Sequence, residues 1–361
     1  MARPRPLHHR FHLRPGHAGG DGRHHRGWCH LHRHQYADRC RLSFPRSKVP
    51  LMASSPPRAP RPARAPWVLW LLSDSPASRL QARLGRFYSG WLVFIRNPLA
   101  VIGLAIFLCL VILATFAPWI APHDPLFGTL SERLLPPSAG HWLGTDQQGR
   151  DIWSRIVFGS RTTLMIIFLV AITAAPVGLL IGTTAGFVGG IVEAALMRLT
   201  DAFLAFPKLI LALAFAAALG AGLENAVLAI ALTAWPPYAR IARAETLAVR
   251  RTDFVAAARM CGSSPLRILI GQIMPMCIPS LVVRVSLDMA GVILIAAGLG
   301  FLGLGVAPPQ PEWGAMVSEG RSQILAQWWV CTYPGIAICI VSLGFNLLGD
   351  GLRDVLDPKR S

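Results

Sequence analysis

Long stretches without a single charge constrain this chain more than any other feature. Between Arg96 and His123 lie 26 uncharged residues, and between Arg161 and Glu193 lie 31. A helix needs about 20 apolar residues to cross a hydrocarbon core of about 30 Å. Backbone groups in lipid must bond to one another, so apolar runs of this length read as spanning helices. Only 15% of the 361 residues are charged and 53% are hydrophobic, against about 25% charged in a typical soluble domain. That arithmetic excludes a water-soluble globular enzyme.

The first run predicts a helix near Pro98–Ala117 and the second a helix near Thr163–Ala185. Phe203–Leu223 predicts a third, interrupted only by Lys208 near one end, where a long side chain reaches the interface. Asn225–Ala239, 15 residues ahead of Arg240, predicts a fourth. Ile268–Pro311, apolar apart from Arg284 and Asp288, holds the fifth, and Ser322–Gly349 the last. The fold class expected is an all-α membrane protein of about six transmembrane helices.

Lysine and arginine in short loops set orientation. Arg79, Arg83, Arg86 and Arg96 precede the first helix; Arg240, Arg243, Arg250, Arg251, Arg259 and Arg267 follow the fourth; Arg353, Lys359 and Arg360 end the chain. With six spans these segments share one side, read as cytoplasmic, so both termini face the cytoplasm and loops 118–160 and 306–321 face outward. Arg150, Arg155 and Arg161 then fall outside. They are assigned to a short interfacial helix whose apolar face is Ile152, Trp153, Ile156 and Val157. Asp146 reads as a helix N-cap, and Pro308, Pro309 and Pro311 as a stiff connector. No regular spacing joins His123, Asp124, His141 and Asp146, so no metal site is expected.

The net charge of +17 is concentrated at the start: residues 1–66 carry thirteen arginines, one lysine and two acids, with nine of the eleven histidines. Such a tract can bind metal, anionic lipid or nucleic acid. The reading preferred is translation ahead of a true start, with Met52 as an alternative initiator and a disordered basic tail as the competing view; no nucleic-acid partner is inferred. The seven cysteines contain no CxxC pair and imply no disulfide framework; five of them lie in or beside apolar runs and are read as small buried hydrophobes. Four segments result: the basic, disordered extension 1–66, a cytoplasmic or interfacial segment 67–97, a membrane domain 98–350, and a cytoplasmic tail 351–361.

The loop 251–276, RTDFVAAARMCGSSPLRILIGQIMPM, is patterned. Ala256, Ala257 and Ala258 form helix readily, Gly262 suits a left-handed cap, and Ser263 or Ser264 with Pro265 can start a second helix. A short helix of small residues flanked by arginines is what docking onto a soluble partner requires.

The spacing Ala256-Ala257-Ala258-x-x-x-Gly262, followed by Ile273-Met274-Pro275, resembles the coupling loop of ABC importer membrane subunits. Ala256 stands where that pattern has Glu, Gln272 where it has Ile, and Met274 where it has Leu. GTDQQGRDIWSRIVFGSR (Gly144–Arg161), MRLTDAFLAFP (Met197–Pro207), FLGLGVAPPQPEWG (Phe301–Gly314) and FNLLGDGLRDVLDPK (Phe345–Lys359) resemble the dipeptide/oligopeptide/nickel branch, and within it the C-type subunit of the permease pair.

The resemblance implies a type I ABC importer permease fold in the bacterial inner membrane. The implied partners are a homologous permease subunit, two ATPase subunits carrying ATP and Mg, and a periplasmic or extracellular substrate-binding protein, with lipid around them. Ala256, Ala257, Ala258, Arg259, Gly262 and Pro275 would form the coupling loop. Peptide is the cargo implied, with nickel or glutathione as alternatives. The chain lacks GxxxxGK[ST], so ATP hydrolysis and the cofactor belong to partners, and no enzyme activity is expected of this chain.

Two readings of Arg284 and Asp288 stay open. They lie four apart on one helix face and either line the translocation path, meeting a peptide's termini, or neutralise each other while holding helices together. Asp201 with Arg198 is read as an interface pair. An ion-coupled secondary transporter would show internal repeats and several intramembrane acids; the fifth span holds one acid and no repeat is evident.

Overall fold

The computed structural model describes Trp70 and residues 78–356, which lie in the compact unit Pro66–Ser361. The basic extension with Met52, most of 67–77, and residues 357–361 of the tail lie outside the described residues. Among the described residues the fold is helical, and the only β pairing is an isolated bridge between Thr145 and Asp151.

Helix α1 (Arg79–Arg96) starts at Ser78, whose hydroxyl accepts Gln81 N–H at 3.1 Å. Helix α2 (Pro98–Thr115) follows at once, because Asn97 caps Leu99 N–H at 3.1 Å and Pro98 fits the first turn. The long helix α3 (Ile152–Val188) is capped by Asp151 through Ser154 N–H at 2.8 Å. Next come α4 (Gly190–Leu204), α5 (Lys208–Leu219), α6 (Leu223–Val249) and the short α7 (Asp253–Met260). Helix α8 (Pro265–Phe301) contains a π segment at Leu269–Ile273. The chain closes with α9 (Trp313–Gly320) and α10 (Trp329–Leu356).

Helices α2, α3, α8 and α10 are long and apolar enough to cross a membrane, and α4 with α5 makes a fifth span if the bent pair is one crossing. The third expected span is therefore broken by 91° rather than straight. Pro207 has no N–H to donate and disfavours helical geometry at Phe206, which ends α4. The fourth expected span lies in α6, whose 27 residues reach about 40 Å at about 1.5 Å each. Trp235, Pro236, Pro237, Tyr238 and Arg240 make it less apolar, and its middle is buried against protein rather than lipid.

The interfacial helix expected at 152–157 does not exist as a separate element. Residues 152–188 are one helix, and Ile152, Ile156 and Val157 are buried in protein. Arg150 and Arg155 are buried as well, because Arg150 binds Asp146 at 2.6 Å and Glu319 at 2.9 Å, while Arg155 lies 3.6 Å from each. Asp146 is thus no helix cap: it receives Gln148 N–H and Arg150 N–H at the turn before α3 and holds both guanidinium groups. Cys277 is buried, whereas Cys109 and Cys339 are exposed on spanning helices and Cys261 on the 251–276 loop. Lipid-facing sulfur carries little cost, so burial in protein is not required there.

Close helix contact rests on glycine. Gly178, Gly182 and Gly186 form one face of α3 against α6. A Cβ at Gly178 would meet Trp235 O at 2.7 Å, one at Gly186 would meet Arg243 O at 2.9 Å, and one at Gly182 would collide with Ala239 O. Helices in lipid gain little from excluding water between them, so backbone approach through small residues supplies the attraction. The same device joins α2 to α10, where a Cβ at Gly103 would stand 2.8 Å from Gly344 O.

Gly182→Ala adds a methyl into backbone and is expected to cost about 1–3 kcal/mol, as overpacking does. Gly140→Ala adds the same methyl where nothing lies within 4 Å and should stay within about 0.5 kcal/mol. Thermal midpoints of the two variants in one detergent check this; equal midpoints would contradict the packing argument.

Candidate functional site

The loop 251–276 folds as its residues dictate. Asp253 favours the positive end of α7 and Arg259 its negative end. At the C-terminus Gly262 adopts φ +78°, Gly262 N–H bonds Arg259 O at 3.0 Å, and Ser263 N–H bonds Ala258 O at 3.1 Å. This pair of bonds is a Schellman cap. Ser264, not Ser263, caps the next turn, accepting Arg267 N–H at 3.4 Å, with Pro265 in the first helical position.

One face of α7 is anchored. Val255 is buried with Val249 of α6 and with Ile268, Leu269, Ile273 and Cys277 of α8, a small core separate from that of the spans, against which Ala258 and Phe187 pack. The other face is open: Ala256, Ala257, Phe254 and Arg259 are exposed, and Met260 is 90% exposed. Pro275 is exposed too. Lacking an N–H, it cannot bond Gly271 O, and the adjoining ladder shifts to i→i−5, with Met274 N–H on Leu269 O. The six residues proposed from the sequence thus flank one exposed helix and the π turn behind it.

Arg284 and Asp288 do form the expected i, i+4 pair, at 2.9 Å. The fold adds two groups that sequence reading missed. Lys208 at the start of α5 lies within electrostatic reach of both, and the Tyr238 hydroxyl of α6 faces Asp288 without a well-formed hydrogen bond. Tyr238 O–H, Arg284 Nε and Asp288 Oδ2 are buried with no hydrogen-bond partner among the described residues. Buried polar atoms left unpaired cost about 1–3 kcal/mol each, so three in one place mark polar capacity held in reserve. The signal that could have found Lys208 is its position after Pro207, at a helix start inside an otherwise apolar run.

Asp201 pairs with Arg240 at 2.6 Å, not with Arg198, because α4 packs on α6. Both partners are more than half exposed, and such a pair contributes little. Glu193, about two turns earlier on α4, binds Arg243, about one turn along α6.

At the opposite end of α8, Glu312 caps α9, accepting Gly314 N–H at 2.8 Å and Ala315 N–H at 2.7 Å. Its carboxyl presses on Gly300, where a Cβ would stand 2.7 Å from Glu312 Cδ. Burial pushes this carboxyl up to about 7, against the two backbone donors that pull it down. The folded state therefore keeps a proton that an unfolded carboxyl loses near 4.5. The contribution is fully present below that lower value and is lost as pH rises through about 7. Between about pH 5 and about pH 8 the thermal midpoint should fall in the native chain, and Glu312→Gln should flatten that slope, the difference amounting to at most about 3 kcal/mol.

Residues 178–361 match the family described as binding-protein-dependent transport system inner membrane component, and the chain belongs to that family. Residues 86–137 match the N-terminal transmembrane domain of oligopeptide transport permease C, so both ends of the membrane body agree. Among individual relatives, the chain is 44% identical over 291 residues to the probable D,D-dipeptide transport system permease protein of Escherichia coli (strain K12), covering 80% of this chain and 98% of that one. It is 44% identical to the di/tripeptide transport system permease protein of Pseudomonas aeruginosa (strain UCBPP-PA14), over 74% of this chain and 91% of that one. It is 41% identical to the nickel transport system permease protein of Escherichia coli (strain K12), over 71% and 93% respectively. The chain is a membrane permease subunit of the type I importer class.

Proposed function

We propose that this subunit passes di- or oligopeptides through the inner membrane, paired with a homologous permease, fed by a substrate-binding protein and driven by two ATPase subunits. Hydrolysis of ATP, with its Mg, takes place on those ATPases, and this chain contributes a path and a lever. Both termini face the cytoplasm, consistent with the arginines of α1, of the α6–α7 region and of the α10 end. Peptide relatives over most of the chain support the cargo. The nickel relative supports metal-chelate import as the second reading.

The observation that carries the lever is α7: a capped helix with one face locked to α6 and α8 and the other bare. An ATPase cleft that closes on the bare face moves both spanning helices through the Val255 core. Arg284, Asp288, Lys208 and Tyr238 form the polar part of the path, where unpaired atoms can meet a peptide's charged ends in passing. A conduit does not gain from binding cargo tightly, since a deep well slows release.

Uptake of radiolabelled di- and tripeptides beside labelled nickel, in cells with and without the chain, tests the cargo. Loss of peptide uptake with nickel uptake intact is expected, and the reverse pattern would transfer the chain to the nickel reading. Ala257→Glu, on the bare face of α7, should lower uptake about tenfold or more and abolish stimulation of the ATPases by loaded binding protein, with the chain still present in the membrane. Unchanged uptake would remove α7 as the lever.

A further inference from the structure

Outside residues 1–66 the chain has two histidines, His123 and His141. They are 18 positions apart, yet the fold stacks their rings 4.7 Å apart at the N-terminus of α3. Asp151, whose side chain is 1% exposed, lies beneath both: Oδ1 is 3.0 Å from His141 Nδ1, and Oδ2 is 3.9 Å from His123 Nδ1. His123, His141 and Asp151 offer ligand atoms all within 4.8 Å of one another. Glu132 lies on the other side of the His141 ring, with Oε2 3.9 Å from Nε2, the nitrogen not turned to Asp151.

Each group is held by a separate device. Asp151 caps α3 through Ser154 N–H and Oγ–H at 2.8 and 2.7 Å. His123 N–H binds the same Ser154 hydroxyl at 3.2 Å. The His141 carbonyl accepts both Ser138 N–H at 2.8 Å and Gly144 N–H at 3.0 Å. The charge also suits a cation. Arg150 and Arg155 are occupied by Asp146 and Glu319, so among the described residues no arginine or lysine pairs with Asp151. One carboxylate and two imidazoles select a borderline transition metal over magnesium or calcium. Two nitrogens and one carboxylate oxygen, with water in the fourth position, match a four-coordinate ion with bonds of about 2.0–2.2 Å, which shifts of about 1 Å in these side chains would allow.

We propose that His123, His141 and Asp151 bind a divalent transition-metal ion and so clamp the two loops before α3 to its first turn. The site is separate from the four-residue polar cluster inside the spans and does not depend on what the permease carries. Asp124 and Asp146, which could be drawn into such a site on sequence alone, are engaged elsewhere: Asp124 accepts Leu126 N–H at 2.7 Å and Asp146 holds the arginines.

The probes are Zn²⁺ and, for its visible spectrum, Co²⁺. The test uses the full chain in detergent with all nine histidines of residues 1–66 replaced by alanine, since that tract can chelate metal itself. About one ion per chain is expected by equilibrium dialysis, with intense Co²⁺ bands of a four-coordinate site and a metal-dependent rise in thermal midpoint. His123→Ala and His141→Ala should each weaken binding about tenfold or more. If Zn²⁺ does not bind, or binds both histidine variants as tightly as the chain that keeps His123 and His141, with unaltered Co²⁺ bands, the proposal fails and the two rings merely brace the helix cap. His141→Gln guards against misfolding: it can keep a hydrogen bond to Asp151 and should keep the metal-free midpoint while losing the metal-dependent rise. Retention of that rise would also overturn the site.

Discussion

The contact between α3 and α6 is the constraint on which the rest of the molecule depends. Lipid tails are as apolar as leucine, so two spanning helices gain little by hiding apolar side chains from lipid. What holds them is dispersion between closely packed atoms, and that falls steeply with a gap of even half an ångström. Gly178, Gly182 and Gly186 remove the side chains that would keep the two backbones apart. With the helices that close, Tyr238, Ala239 and Ala242 of α6 are wholly enclosed. The close approach also sets polar neighbours: Arg243 reaches Glu193, Arg250 just past α6 reaches Gly186 O, and Tyr238 turns toward Asp288.

Charge is placed by the same logic. Arg155 is almost wholly buried at the start of a spanning helix, which is tolerable only because Asp146 and Glu319 come to it from two other segments. Buried pairs of this kind add little net stability, but removing one partner leaves an uncompensated charge and costs about 3–5 kcal/mol. The network thus fixes the turn before α3 to the end of α9 with high specificity. Gln147 extends the tie by donating to Glu319 O at 2.7 Å.

Sequence made the spans legible because a charge-free run of 26 or 31 residues has few structural solutions. It also made the α7 loop legible down to its cap, since Gly262, Ser264 and Pro265 each do one local thing. Three features resisted. The kink at Pro207 was hidden inside a run that looks continuous by hydropathy alone. Arg150 and Arg155 looked interfacial because their partner Glu319 is more than 160 residues away in sequence. The gathering of His123, His141 and Asp151 depends on loop paths that no spacing rule encodes. The glycine row at 178–186 was readable in principle, as small residues every fourth position, yet its partner face on α6 carries no comparable mark.

Placement of the π segment decides how motion at α7 can travel. Leu269 and Ile273 lie in the Val255 core, so that core grips α8 where its ladder is loosest. From Ile273 to Arg284 is eleven residues, about 16 Å of helix at about 1.5 Å per residue, with Pro279 inside it. Helices kink at π turns and at proline, so under the proposed lever α8 would bend at this turn or at Pro279, and the segment beyond would move as one body. Arg284 and Asp288 ride on that body, whereas Tyr238 rides on α6 and Lys208 on α5. Their unpaired atoms face one another across helices that need not move together. On the proposed function the polar cluster would open and close without breaking the Arg284–Asp288 pair, which lies within a single helix.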